Sequence, residues 1–255
     1  MNTYVIYGIV CLCVLVAGFV DSIAGGGGLI TLPAYMIAGL PPHTAIATNK
    51  MSSSMGTAVS SWHYFRQGFM KWKLCIPAIL AAILGSDLGA RLTLMVPERA
   101  LKIAMLVILP VILFYVTRSK TLRGEVKNNE EEITGKLIFK CILIALVIGI
   151  YDGMYGPGTG TFLMLLFSGF CHMSMNDAAG TTKAINLTTN ITALAVFLMN
   201  GKVLLGLGIA AGICNMIGNF LGSHCFTDKG TKIVKPIMIV VIVIFFIKVL
   251  TELIG

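Results

Sequence analysis

The sequence predicts an all-helical, polytopic membrane protein made of two related halves, and three observations carry that reading. The 255-residue chain is 56% hydrophobic and only 12% charged, with a mean hydropathy of +0.89, whereas a soluble domain carries about a quarter charged residues. Apolar runs close to the ~20 residues that cross a bilayer recur along its whole length. Two Gly-rich interruptions fall at matching places in the two halves.

Ten apolar segments follow in order. The first half carries residues 4–23, a short 29–40, then 43–65, 74–95 and 100–116. The second carries 137–155, a short 161–171, then 177–199, 203–225 and 233–250. Eight are long enough to span, and the two short ones read as broken helices. The first run has no basic flank and no small-residue cleavage site, so it reads as a retained span. Between the halves lies RSKTLRGEVKNNEEEITGK (118–136), a charged stretch read as a solvated cytoplasmic linker. The predicted organisation is therefore a first transmembrane repeat over 1–117, the linker over 118–136, and a second repeat over 137–255.

The duplication is legible residue by residue. VDSIAGGGGLITLP (20–33) parallels YDGMYGPGTGTFLM (151–164), Thr48-Asn49-Lys50 parallels Thr181-Thr182-Lys183, and Gly85 and Gly89 parallel Gly218 and Gly222. The net charge of +8 lies mostly in loops, at Arg66/Lys71/Lys73, Arg118 to Lys127 and Lys229/Lys232/Lys235. That is the pattern of the positive-inside rule, with attraction to anionic lipid, and not of nucleic-acid binding. Trp62, Tyr64 and Trp72 beside Arg66 and Lys71 read as an interfacial belt. If the short segments cross, or form hairpins with their successors, the three basic loops share one side and the repeat is inverted. If they dip and return alone, the halves are parallel. Charge alone leaves both open.

Short, Gly/Pro-interrupted segments at corresponding places in two halves point to a transporter's binding site, because non-helical backbone at membrane depth survives only around protein or a water-filled cavity. The competing account is a tight turn that uses glycine for its positive φ. The charges within apolar segments are Asp21, Lys50, Asp87, Arg91, Asp152 and Lys183. Each costs on the order of 2.5–3.5 kcal/mol at a helix centre and needs a partner, water or a ligand. Asp21 and Asp152 immediately precede the breaks, and Lys50 and Lys183 follow the short segments. They read as proton-coupling carboxylates and anion-attracting lysines, or as Asp–Lys pairs fastening segments within or across halves. Thr48, Asn49, Ser53, Thr181, Thr182 and Asn186 lie within one turn of a lysine and are candidate donors to a small oxyanion, with backbone amides of Gly26, Gly27 and Gly158 at the breaks. The remaining hydroxyls read as helix glue. Asp87 and Arg91, at i and i+4, read as an intrahelical pair.

Other chemistry is poorly represented. The seven cysteines form no C-x-x-C pair and read as small core hydrophobes, and the four histidines lack metal-ligand spacing. His43 and His172 read as solvated turn positions. No catalytic residue, metal or cofactor is expected. An intramembrane aspartyl hydrolase using Asp21 and Asp152 lacks the Gly-x-Gly-Asp pattern, GPGTG lacks the Gly-Lys-Ser/Thr of a phosphate loop, and YGPG lacks the context of a potassium filter. A scaffold subunit without flux is a further alternative.

Three stretches carry a family resemblance: GFVDSIAGGGGLITLPAYMIAGLPPHTAIATNK, the second-half GTTKAINLTTN, and GSDLGARLTLMVPERALKIAMLVI. Over residues 8–250 the chain resembles the TauE/SafE sulfite-exporter family of membrane transporters. The resemblance implies a multi-pass plasma-membrane protein with a two-fold repeat that moves sulfite or organosulfur anions, with protons as a coupling ion. By motif it points to Asp21, Gly25 to Gly28, Thr48, Asn49 and Lys50, and to Asp152, Gly158, Thr181, Thr182, Lys183 and Asn186. The expected partners are a small anion and the lipid bilayer.

Overall fold

The computed structural model describes residues 3–118 and 133–225, with scattered positions between 239 and 251. Among the described residues there is no strand, and the helices are α1 (Thr3–Ala24), α2 (Gly28–Ile37), α3 (Pro42–Arg66), α4 (Trp72–Met95), α5 (Glu98–Arg118), α6 (Gly135–Met154), α7 (Thr159–Gly169), α8 (Met175–Met199) and α9 (Leu205–His224). The segment expected over 233–250 and most of the 118–136 linker lie outside the described residues.

Local chemistry sets the helix ends. Pro42 opens α3, where its missing N–H leaves no intrahelical bond unmade. Thr134 and Ser174 cap α6 and α8 by accepting from Leu137 N at 3.3 Å and Asp177 N at 3.2 Å. Among the described residues, four helices are both long and apolar enough to cross a bilayer: Ile6–Ala24 of α1, then α4, α6 and α9. At 25 residues each, α3 and α8 have the length, but their Ser, Thr, Asn and Lys content marks them as interior helices shielded by the others. Their polar stripes are buried, Lys50 and Lys183 to 1% exposure.

Glycines let the shell helices close on each other across the two halves. Gly85 and Gly89 of α4 lie against the backbone of Leu146 and Ile150 on α6, and Gly149 and Gly153 of α6 against Ala82 and Ser86 on α4. Gly218 and Gly222 of α9 lie likewise against Leu15 and Phe19 of α1. These are small-x-x-x-small contacts, the means by which helices associate in lipid without a hydrophobic driving force. A Cβ at Gly89 or Gly218 would fall on the facing backbone.

The register of these contacts, with a few hydrogen bonds, gives six of the helices a direction. Gly85 then Gly89 meet Leu146 then Ile150, so α4 and α6 run parallel. Gly18 meets Asn215 and Gly222 meets Phe19, so α1 and α9 are parallel, and Gly208 and Gly212 meet Met51 and Met55, so α3 joins them. Cys75 reaches Thr181 at 3.7 Å and Ser86 donates to Thr189 O at 2.7 Å, which aligns α8 with α4. By contrast, Ser61 donates to Lys183 O at 3.0 Å and Lys50 to Asn190 Oδ1 at 3.1 Å, so α3 and α8 are antiparallel. One group, α1, α3 and α9, therefore opposes a second, α4, α6 and α8.

His43 departs from expectation. It is half-buried, its Nε2 lying 3.0 Å from Thr93 O and 3.1 Å from Val96 O, with Nδ1 3.6 Å from Glu98. It joins the start of α3 to the α4–α5 turn instead of facing solvent. Its position beside a turn hid that, because the carbonyls it reaches are fifty residues away in sequence.

Candidate functional site

The two Gly-rich breaks meet. Gly25 (φ +70°) ends α1, and Gly156 (φ +91°) and Gly158 (φ +80°) shape the turn between α6 and α7. These are left-handed conformations that residues with a Cβ adopt only under strain. Thr161 N donates to Gly25 O at 3.2 Å and its hydroxyl to Ala24 O at 2.8 Å. The backbones of Gly25 and Gly160 approach so closely that a Cβ on either would strike the other. Both explanations of the glycines therefore apply at once: they make the turns, and they let one break sit on the other.

Around this crossing stand four of the six charges that fall within apolar segments, paired across the halves. Lys50 Nζ lies 2.7 Å from Asp152 Oδ2 and 3.1 Å from Asn190 Oδ1. Lys183 Nζ lies 2.8 Å from Asp21 Oδ2 and 2.5 Å from the Asp21 carbonyl. The pairs are built alike but not equally. The side chains of Lys50 and Asp152 are 1% and 2% exposed, and the Thr159 hydroxyl sits 2.6 Å from Asp152 Oδ1. Asp21 is 12% exposed, and its second oxygen accepts only a long 3.3 Å bond from Gly27 N.

Between the pairs lies a cavity of about 20 Å³, bounded by polar, charged or glycine residues alone. The central helices supply Asn49, Lys50, Ser53 and Thr57 from α3, and Asn186 and Asn190 from α8. Asp21, Asp152 and Thr159 close the ends, with glycines 25, 28, 156 and 160 as the backbone wall. That volume holds on the order of one ordered water. The cavity is a small polar space among buried side chains, smaller than any oxyanion with a central atom and several oxygens.

The expected residues divide accordingly. Asp21, Asp152, Lys50, Asn49, Ser53 and Asn186 line the cavity, and Lys183 reaches its rim through Asp21. Thr48 instead accepts from Leu204 N at 3.1 Å, fastening the start of α9, and Thr181 partners Cys75. The Thr182 hydroxyl is buried and makes no hydrogen bond, and it lies outside the cavity wall. Gly26, Gly27 and Gly158 shape the turns without lining the space. Thr57, Asn190 and Thr159 were missed. The spacing held the signal: on a helix, residues three, four and seven after a lysine share its face, which selects Ser53 and Thr57 after Lys50, and Asn186 and Asn190 after Lys183. Residues one or two before it do not.

Each carboxylate is held by its own lysine, Asp152 by Lys50 and Asp21 by Lys183. Asp87 and Arg91 stay apart from the site as an exposed i, i+4 pair at 2.8 Å.

Comparison with known proteins agrees with this architecture. The family model described as sulfite exporter TauE/SafE matches residues 10–249. A probable membrane transporter protein, ORF9, of a Sinorhizobium species is 37% identical, over 93% of this chain and 89% of its own length. Probable membrane transporter protein YfcA of Escherichia coli K12 is 31% identical over 99% of this chain and 92% of its own. A probable membrane transporter protein of Haemophilus influenzae is 30% identical over 88% and 87%. No solved structure matches.

Proposed function

Because this chain belongs to the sulfite exporter TauE/SafE family of membrane transporters, we propose that it is a secondary transporter of a small sulfur-containing anion such as sulfite, coupled to protons and seated in the plasma membrane. The observation that carries the proposal is the small polar cavity at the crossing of two broken helices, flanked by one Lys–Asp pair on either side.

The pairs suggest how charge is handled. With both intact, the site is neutral and has no use for an anion. Protonating Asp152 or Asp21 removes one negative charge and leaves its lysine buried without a counter-ion, a state several kcal/mol unfavourable. A monovalent anion entering beside that lysine restores neutrality. Asn49, Ser53, Thr57, Asn186 and Asn190 then offer hydrogen bonds to its oxygens. Proton and anion move together, one for one, and the cycle is electroneutral.

The scaffold fits alternating access. We read residues 1–117 and 137–255 as inverted repeats forming eight spans, α1 to α4 corresponding to α6 to α9. The support is directional: each helix of the group α1, α3 and α9 runs opposite to its counterpart α6, α8 or α4. Inverted halves around a midplane site are the usual construction of transporters that rock about a fixed centre. Opening the cavity to one side then means parting one pair while the other holds.

The test is sulfite flux in proteoliposomes under separately imposed pH and potential gradients. Uptake driven by the pH gradient and indifferent to a potassium-diffusion potential is the expected outcome. Flux that follows the potential sinks the electroneutral scheme, and an absence of flux for sulfite, thiosulfate and sulfonates alike sinks the anion assignment.

A further inference from the structure

A second cavity, of about 390 Å³, opens sideways between α3, α4 and α8, on the far side of the α3–α8 crossing from the polar site. Its floor includes Ala184 and Thr188, and its mouth carries Trp62, Phe65 and Trp72, which are 60%, 39% and 49% exposed. One exposed cation stands at that mouth, Arg66 lying over the Trp62 ring at 5.9 Å, and a second exposed cation, Lys73, follows Trp72 in sequence. Lys71, between them, is already bound to Asp177 at 2.7 Å.

The groove is not a by-product of the duplicated fold. Shifting by the 133 residues that relate Lys50 to Lys183, the floor residues Ala184 and Thr188 become Met51 and Met55. Those methionines pack against Gly208 and Gly212, filling the equivalent space with protein. At the mouth, Trp62, Phe65, Arg66, Trp72 and Lys73 become Ala195, Leu198, Met199, Leu205 and Gly206. Among the described residues, the positions equivalent to this rim carry neither an aromatic ring nor a cation.

We infer that this groove binds an anionic phospholipid, one acyl chain lying between α3, α4 and α8 and the phosphate held by Arg66 and Lys73. An apolar cleft open to hydrocarbon fills with lipid tail, because an empty one forfeits its dispersion contacts. A tail gains little by leaving the bilayer for the protein, so selection among lipids falls to the headgroup. There the two cations and the tryptophans form an interfacial phosphate site. An occupying chain would rest against Ser61, whose hydroxyl holds the Lys183 carbonyl at 3.0 Å, and so against the helix crossing that opening must disturb.

The chain's two tryptophans both belong to this groove, so intrinsic fluorescence reports on it alone. The full chain is reconstituted in phosphatidylcholine with equal fractions of either phosphatidylglycerol or phosphatidylcholine carrying brominated acyl chains. Brominated phosphatidylglycerol is expected to quench preferentially, its binding favoured roughly fivefold for each cation. Arg66→Gln with Lys73→Gln is expected to abolish the preference while annular quenching persists. Thr188→Met, which copies the filled half, is expected to lower quenching by both lipids. Equal quenching of the unmodified protein, or a preference that survives loss of both cations, overturns the assignment. So does protection of both tryptophans from either lipid together with a disulfide-linked dimer of Phe65→Cys, which gives the groove to a second copy.

Discussion

Removing Lys50 and Asp152 separately and together distinguishes what the pair does for folding from what it does for transport. Both side chains are at most 2% exposed and lie 2.7 Å apart. Deleting one partner of such a pair strands the other charge and costs about 3–5 kcal/mol, whereas replacing both with apolar groups of similar volume is close to neutral. For a chain of this size a kilocalorie shifts the melting midpoint by roughly 2–4 °C. Lys50→Met alone is therefore expected to lower the midpoint in detergent by roughly 6–20 °C, toward the low end because Thr159 and its 2.6 Å contact stay with the stranded Asp152. Lys50→Met with Asp152→Leu is expected to recover most of that loss and still to transport nothing. The assay is a thermal-unfolding scan alongside proteoliposome flux. A double variant as unstable as the single refutes the pairing as the source of the loss. Retained flux in a stable double variant refutes the role of this pair in the cycle.

Three further outcomes follow from the same geometry. Asp152→Asn should lower the melting midpoint more than Asp21→Asn, because Lys183 keeps the Asp21 carbonyl at 2.5 Å whereas Lys50 keeps only Asn190 at 3.1 Å; the two scans side by side decide it, and the reverse order contradicts it. Gly25→Ala should prevent recovery of monodisperse protein on size-exclusion chromatography, since φ is +70° and the new Cβ meets the Gly160 backbone, while Gly39→Ala, at φ +90° in open space, should cost only about 1–2 kcal/mol of local strain. Cys225, exposed at the end of α9, and a cysteine placed at exposed Arg99 should label from opposite faces with a membrane-impermeant maleimide, because α9 and α4 run in opposite directions; same-side labelling contradicts the helix directions above.

Much of the architecture was legible in the sequence because it is written locally. A run of apolar residues predicts a span, a Gly-rich break predicts non-helical backbone, and a lone aspartate inside a span predicts a partner. The identity of the partner was not legible. Asp21 meets Lys183 and Asp152 meets Lys50, separations of 162 and 102 residues that no periodicity encodes. Direction was hidden for the same reason. Basic loops left inverted and parallel repeats both open, whereas the register of Gly85 and Gly89 against Leu146 and Ile150 gives the relative direction of α4 and α6. The errors in choosing site residues were geometric. Nearness in sequence selected Thr48, Thr181 and Thr182, but a helix turns 100° per residue, so those side chains serve α9, Cys75 and the interior.

On the proposed duplication, the asymmetries between the halves matter. Two copies of one half, packed as these are, would by default give two equal ion pairs and two equal lateral surfaces. Instead the Asp152 end carries Thr159 where the Asp21 end has Gly28, and one lateral surface is plugged by methionines while the other is left open and rimmed with tryptophan and cations. A symmetric pair of latches favours neither side of the membrane. On the proposed cycle, a tighter latch at one end makes the other the easier to part, which would bias opening toward the Asp21 pair. Because Ser61 of α3, the helix that carries Lys50, ties the open groove to the helix that carries Lys183, an occupant of that groove, on the proposal above, acts on the α3–α8 crossing that both pairs share.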